Sequence, residues 1–90
     1  MATNDVDAVL SERGARYGKF TDHARITQSL KTIIDECDNG KLSWSQRESL
    51  DMIAHKIGRI LNGDPNYADS WVDIAGYAKL VADELEGIIK

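Results

Sequence analysis

The chain has 90 residues, of which 42% are hydrophobic and 29% charged, and its formal net charge is −4. This composition is typical of a folded globular domain and argues against a disordered chain. The acidic balance excludes general nucleic-acid binding as the first expectation, because such proteins usually carry a concentrated basic surface. We expect no export signal, because the first residues lack a basic segment followed by an apolar core, and no apolar run is long enough to span a bilayer. The single Cys37 cannot form an internal disulfide. We therefore expect one cytoplasmic helical domain over residues 1–90, without membrane contact.

Hydrophobic periodicity predicts a short first helix from about residue 5 to residue 13, ended by breaks at Gly14 and Gly18. A second helix is expected to follow, capped by Thr21 or Asp22, and to run to about Cys37. Its apolar stripe comprises Ile26, Leu30, Ile33, Ile34 and Cys37. The stripe predicts a buried, structural thiol at Cys37, whereas His23 is expected at the surface.

The connector between these helices, RGARYGKF, combines cations, aromatic rings and a glycine turn. Arg13, Arg16 and Lys19 surround Tyr17, and a basic cluster beside a glycine turn favours anions. This segment is either a grip for a phosphate or carboxylate, or a solvated loop whose Tyr17 and Phe20 pack on the core.

The third helix is predicted to begin at Ser43, which forms a capping-box pattern with Gln46, and to end at Asn62-Gly63 in a left-handed turn. The fourth helix is predicted to begin between Pro65 and Asp69. The third helix carries a stripe expected to be buried, made of Leu50, Ile53, Ile57, Ile60 and Leu61. The fourth carries a long apolar face made of Trp71, Ile74, Ala75, Ala78, Val81, Ala82, Leu85 and Ile88.

These elements predict an all-α fold, a small helical bundle of three main helices plus a short N-terminal one. Gly58 and Gly76 are expected to let the third and fourth helices cross closely. A chain this short has a thin core, which favours a homo-oligomer. The apolar surface left for a second subunit is expected at Trp71, Ala75, Ala78 and Ala82.

The polar residues of the third and fourth helices support two interpretations. In the first, Lys56 and Arg59 form interhelical ion pairs with Asp69 and Asp73. In the second, four carboxylates bind Mg²⁺, because this ion prefers several oxygen ligands and substrate phosphate. The candidate metal ligands are Glu48, Asp51, Asp69 and Asp73. The candidate phosphate ligands are Lys56, Arg59, Arg16 and Lys19, and the candidates for stacking on a base are Tyr77 and Tyr17.

The run RYGKF, followed by QRESLDMIAHKIGRILNGDPNYADSWVDIAGYAKL, resembles a family of small uncharacterised phage and prophage proteins over nearly the whole chain. More distantly, the acidic pattern is similar to the MazG-like all-α nucleoside triphosphate pyrophosphohydrolases. Their Glu-x-x-Glu and Glu-x-x-Asp motifs bind Mg²⁺ in a dimer or tetramer. Glu48 and Asp51 match the first motif with Asp in its second position. Asp73 matches the last position of the second motif, and Asp69 lies one residue too early for the third acidic position.

Two functions follow from this resemblance and from the composition. The first is Mg²⁺-dependent nucleotide binding, with or without cleavage between the α- and β-phosphates. The second is a non-enzymatic phage accessory protein that binds and inhibits a host or defence protein in the host cytoplasm. Carboxylates arranged around an ion near Asp51 and Asp73 would favour the first function, and their neutralisation by Lys56 and Arg59 would favour the second.

Overall fold

A computed structural model describes residues 3–88, and these form four helices without any strand. Their bounds are Thr3–Tyr17 (α1), Phe20–Asp38 (α2), Trp44–Asn62 (α3) and Ala68–Leu85 (α4). The predicted all-α class is therefore confirmed for the described part of the chain. None of these helices is both long and apolar enough to cross a lipid bilayer.

The first helix is longer than the sequence pattern indicated. It continues through Gly14 to Tyr17, so the predicted end near residue 13 is wrong. A helical glycine costs only about 1 kcal/mol relative to alanine, and the neighbouring alanine and arginine residues favour the helix. The helix ends at Gly18, whose φ of 78° lies in the left-handed region and whose N–H donates to the Gly14 carbonyl at 2.9 Å.

The start of α3 is confirmed in atomic detail. The Ser43 hydroxyl accepts a hydrogen bond from the Gln46 N–H at 3.1 Å, and the Gln46 side chain accepts one from the Ser43 N–H at 2.8 Å. The helix ends at Asn62 as predicted, but Gly63 has a φ of −128°, so the expected left-handed turn is wrong. The glycine is needed there because a Cβ would collide with the carbonyl of Arg16 and the backbone of Tyr17.

The helix α3 lies between α2 and α4 and packs along both, whereas α1 touches only α2 and α3 and over a short length. Gly58 makes a close approach, but to α2: an added Cβ would collide with the Thr27 hydroxyl and contact the His23 ring. At Gly76 an added Cβ would meet nothing within 4 Å. The predicted glycine crossing between α3 and α4 is therefore wrong.

The core of the isolated chain is thin. Among the described residues, Ala54 is the only apolar residue that is buried, and the other buried side chains are polar ones. The predicted buried stripes are confirmed only in part: six of their ten residues are half-buried, whereas Ile33, Leu50, Leu61 and the Cys37 thiol are exposed. A single layer of helices leaves the far side of each helix without a neighbour.

Candidate functional site

The connection between α1 and α2 is held against the C-terminal end of α3 by hydrogen bonds. The Asn62 side-chain amide donates to the carbonyls of Tyr17 and Lys19, at 2.8 and 2.9 Å. The backbone N–H of Asp64 donates to the Arg16 carbonyl at 2.7 Å. We call these contacts of Asn62 and Asp64 with Arg16, Tyr17 and Lys19 the clamp. The clamp fixes a segment that would otherwise be a free loop.

The clamp depends on two glycines that let the backbones approach. At Gly18 an added Cβ would collide with the carbonyl oxygen of Asn62, and at Gly63 it would collide with the backbone of Arg16 and Tyr17. Overlaps with backbone atoms cannot be relieved by rotating a side chain. The RYGK and NGD segments therefore fit together only with glycine at both positions.

Beside the clamp lies a cavity of about 530 Å³ with three cations in its wall, Arg13, Lys19 and Arg59. The remaining polar and aromatic walls are Tyr17, Phe20, His23 and His55. We call it the cationic cavity. Within residues 3–88, no ion pair joins any of the three cations to a carboxylate, although the chain carries 15 acidic residues. Cations left without partners in one cavity are suited to an anionic ligand.

Two aromatic rings hold the arginines in place. The Arg59 guanidinium lies over the Tyr17 ring, 4.2 Å from its centroid. The Arg16 guanidinium lies over the Tyr67 ring at 4.8 Å, donates to the Tyr67 hydroxyl at 2.9 Å and pairs with Glu12 at 3.0 Å. Stacked arginines keep their charge and lose side-chain freedom before any ligand arrives. Of the predicted phosphate ligands, Arg59 and Lys19 line the cationic cavity, and Arg16 is neutralised by Glu12.

Two histidines, His23 and His55, line the cationic cavity. His23 Nε2 lies 3.4 Å from His55 Nδ1 and 3.3 Å from the Thr27 hydroxyl. His23 is 6% exposed, so the expectation that it lies at the surface is wrong. Burial lowers the pKa of His23, and the nearby charge of Arg59 adds to this effect. Burial and the neighbouring His23 lower the pKa of His55 to about 4, so both rings are neutral at neutral pH.

The four predicted metal ligands do not gather into one cluster in the described part of the chain. Asp51 accepts from Arg47 at 3.3 Å, and Asp73 pairs with Lys56 at 2.8 Å. Asp69 is exposed and accepts from the Tyr67 hydroxyl at 3.0 Å, which raises the pKa of that hydroxyl. Glu48 lines a groove between α3 and the end of α4.

This arrangement does not form a ligand set for Mg²⁺. In the described part of the chain, no three His, Cys, Asp or Glu side chains lie close enough to hold one metal ion. Asp51 and Asp73 are each engaged by a cation from their own or the neighbouring helix. The expected Lys56–Asp73 ion pair is present, so Lys56 is not free for a phosphate. The metal site stays a prediction from the sequence.

The two residues predicted to stack on a base, Tyr17 and Tyr77, lie at different sites. Tyr17 lies in the cationic cavity, whereas Tyr77 lies in the groove on the far side of α3 with Glu48. One face of the Tyr17 ring is covered by Arg59. Phe20 is 78% exposed at the cavity's edge, so the alternative in which it packs on the core is wrong. Phe20 is therefore the aromatic ring of this site that has the most open surface.

Sequence reasoning missed several residues that build this site. Asn62 was identified only as a helix end, and His55 was assigned no role. The pairing of RYG with NG, two segments 45 residues apart, is a tertiary contact that no local pattern predicts. The one available signal was two glycine-containing polar turns in a chain with few loops.

The comparisons with known proteins place the chain in a family of unknown activity. No curated protein and no solved structure matches it. Residues 3–85 match the model of a family described as a domain of unknown function, DUF6378, and the chain belongs to that family.

Proposed function

We propose that the chain binds a small anionic ligand of the nucleotide class in the cationic cavity. The observation that carries the proposal is the presence of Arg13, Lys19 and Arg59 around one cavity, with no carboxylate partner among the described residues. A net charge of −4 makes such a local cluster unusual for this chain. Phosphate oxygens are the acceptors that arginine and lysine bind most strongly.

The rest of the cavity suits a planar, neutral group next to the phosphates. Phe20 offers an exposed ring on which a base can stack. His23 and His55 are neutral, but His23 Nε2 is engaged by His55 and Thr27 and its Nδ1 is buried, so His55 Nε2 is the ring nitrogen left for a hydrogen bond to a base. A nucleotide combines phosphates with a flat, hydrogen-bonding base. The volume of about 530 Å³ lies in the range of small-molecule sites.

The proposal keeps the nucleotide part of the resemblance to the MazG-like proteins and assigns no hydrolytic step to the cavity. Its polar walls hold no carboxylate that could orient a water molecule, and the predicted metal ligands lie elsewhere. The phage origin suggested by the sequence resemblance is part of the same proposal. Binding without chemistry is sufficient to explain the arrangement.

Isothermal titration with nucleoside mono-, di- and triphosphates and with pyrophosphate, each with and without Mg²⁺, tests the proposal. Arg59→Gln should weaken binding at least about tenfold, the loss expected for one charged hydrogen bond. Arg25→Gln is the matched control, because Arg25 is exposed on α2 and does not line the cavity. Circular dichroism of both variants checks that the helices remain. Equal affinities in both variants would contradict the assignment of this cavity.

The second candidate is an accessory protein that binds another protein, and one observation favours it. The apolar stripe of α1, Val6, Val9 and Leu10, is exposed, and α1 packs on the other helices only over a short length. An exposed apolar helix face of this kind is a frequent protein-binding surface. Failure of every nucleotide and of pyrophosphate to bind would leave this function as the better proposal.

A further inference from the structure

The fourth helix has a broader apolar surface than the chain covers. The side of α4 that faces α3 contains Ser70, which is buried, and Ile74, Tyr77 and Val81, which are half-buried. Next to it runs a second row, Trp71, Ala75, Ala78, Ala82 and Leu85, in which every residue is exposed. We call this second row the seam. Trp71 and Leu85, its two ends, are 54% and 70% exposed.

The spacing of the seam is that of a helix pair. Its residues follow one another at intervals of four, three, four and three, the average period of 3.5 at which two helices pack along their length. Asp69 and Asp73 lie on the other side of α4 and Lys79 flanks the seam one turn after Ala75, because each residue advances by about 100° around a helix. The seam is therefore a continuous apolar stripe, and alanines at its centre allow two helix backbones to approach closely.

The chain exposes more surface than a compact monomer of its mass. A compact monomer of 10.0 kDa is expected to expose about 5,200 Å². This chain exposes 6526 Å², about 1,300 Å² more. A standard protein interface covers about 800 Å² on each partner, so the surplus is sufficient for a stable dimer. The radius of gyration, 15.4 Å, also exceeds the value of about 12 Å for a compact chain of this length.

The thin core favours a second copy of this chain as the partner. With Ala54 as the only buried apolar residue among those described, little apolar burial stabilises the chain by itself. Association must then accompany folding, and the partner present at every synthesis is another copy. We infer that two copies pack α4 against α4 in antiparallel orientation through the seam.

The seam is symmetric in size about Ala78, because Trp71 and Leu85, its large residues, each lie seven positions from it. This order fits a two-fold axis at Ala78. In an antiparallel pair this axis brings Ala78 next to the Ala78 of the second copy and Ala75 next to Ala82. Trp71 then packs against Leu85 at both ends, so large side chains close the interface on either side of the alanines. Antiparallel helices also have opposed dipoles, which is the more favourable arrangement.

Light scattering with size-exclusion chromatography is the first test. The wild-type chain should elute with twice the monomer mass of 10.0 kDa at micromolar concentration. Ala78→Glu places a charge at the two-fold axis and should shift the mass to that of a monomer or give an unfolded chain. Ala15→Glu, at an exposed alanine of α1, is the matched control and should leave the dimer intact. A wild-type monomer, or a dimer that survives Ala78→Glu, would overturn the inference.

Cysteine cross-linking tests the orientation and remains informative if Ala78→Glu does not fold. The background is Cys37→Ser, because the native thiol is exposed and could itself cross-link. Under mild oxidation, Ala78→Cys should form a disulfide-linked dimer, since the two-fold axis brings the two sulfur atoms together. Ala75→Cys should not, because its neighbour is Ala82 of the second copy. Cross-linking of Ala75→Cys, or none by Ala78→Cys, would refute the antiparallel pairing.

Discussion

The clamp and the seam differ in the kind of contact that each can make: the clamp is built from hydrogen bonds within the chain, and the seam is an exposed apolar helix face. At the clamp, Asn62 and Asp64 donate hydrogen bonds to three carbonyls of the α1–α2 connection, within a single chain. At the seam, apolar residues from Trp71 to Leu85 remain exposed. The clamp consists of directional hydrogen bonds and is geometrically specific. The seam is apolar and exposed, and its side-chain hydrogen bond among the described residues is that from the Trp71 indole N–H to the Pro65 carbonyl, at 2.9 Å.

The difference separates what orients the site from what stabilises the fold. Hydrogen bonds are directional, but each contributes only about 1 kcal/mol net to the free energy of folding. The clamp therefore orients the cations of the cavity while adding little to the stability of the chain. Apolar burial is not directional and supplies most of the folding free energy. Variants in the clamp should therefore change ligand binding together with the stability of each subunit, whereas variants in the seam should change the mass of the assembly.

The largest effect is expected from Gly63→Ala. Its Cβ would collide with the Arg16 carbonyl and the Tyr17 backbone, so the connection must move away from α3. We expect the free energy of unfolding to fall by about 3 kcal/mol, at the upper end for an overpacked site, with loss of ligand binding. Urea denaturation at fixed protein concentration measures the first effect and titration the second.

Gly14→Ala is the matched control for this variant. Gly14 lies inside α1 and an added Cβ there meets nothing within 4 Å. The same substitution should then stabilise the helix by about 0.5–1 kcal/mol. Destabilisation by Gly14→Ala as large as by Gly63→Ala would show that the effect comes from α1 and not from the clamp.

A smaller loss is expected from Asn62→Ala. Two hydrogen bonds disappear, but the Lys19 carbonyl still accepts from the His23 N–H at 3.0 Å. We expect about 1.5 kcal/mol of destabilisation and a several-fold weaker affinity, because the connection that carries Lys19 loses its support. Asn66→Ala should change neither quantity, since Asn66 bonds Asp64 only through its backbone N–H. If Asn62→Ala bound the ligand with unchanged affinity, the clamp would not be needed to form the cationic cavity.

Helix ends could be predicted from the sequence where they depend on residues within one helical turn. The capping box of Ser43 and Gln46 and the end of α3 at Asn62 were correct because they depend on residues within one turn. The end of α1 was wrong because a helical glycine carries only a small penalty, which neighbouring residues outweigh. Lys19 and Tyr17 were identified because cations and aromatic rings around a glycine turn are a local signal, and Arg59 because it is a cation within an otherwise apolar helix.

Burial and long-range contacts could not be predicted in the same way. Apolar periodicity indicates which helix face is hydrophobic but not whether this chain or another covers it, and so Leu61 and Cys37 are exposed. The spacing of acidic residues places them on helix faces without specifying their partners. Asp51 lies beside Arg47 on its own helix, and Asp73 lies beside Lys56.

The histidine pair predicts a dependence of stability on pH. His55 has a pKa of about 4 in the folded chain, below its usual value of about 6.5, through burial, His23, and the positive charges of Arg59, Lys56 and Lys31. The neutral His55 ring therefore makes its full contribution to the free energy of unfolding above pH 6.5, and this contribution is lost as the pH falls from 6.5 through 4. Urea midpoints at pH 7 and pH 5 measure this loss above the range in which most carboxylates titrate. His55→Gln should reduce the difference, and an undiminished difference would assign it to other groups.

The smallest effect is expected at Asp73, where the ion pair and the predicted metal site make opposite predictions. Asp73→Asn leaves Lys56, whose side chain is only 12% exposed, with a neutral acceptor at 2.8 Å in place of a charge. Because the Asp73 side chain is itself 45% exposed and screened by solvent, we expect a loss of only about 1 kcal/mol, unchanged by millimolar Mg²⁺. Asp69→Asn, at an exposed carboxylate bonded to Tyr67, should have no measurable effect. If Mg²⁺ instead raised the melting temperature of the wild-type chain but not of Asp73→Asn, the carboxylate would be a metal ligand that exchanges Lys56 for the ion.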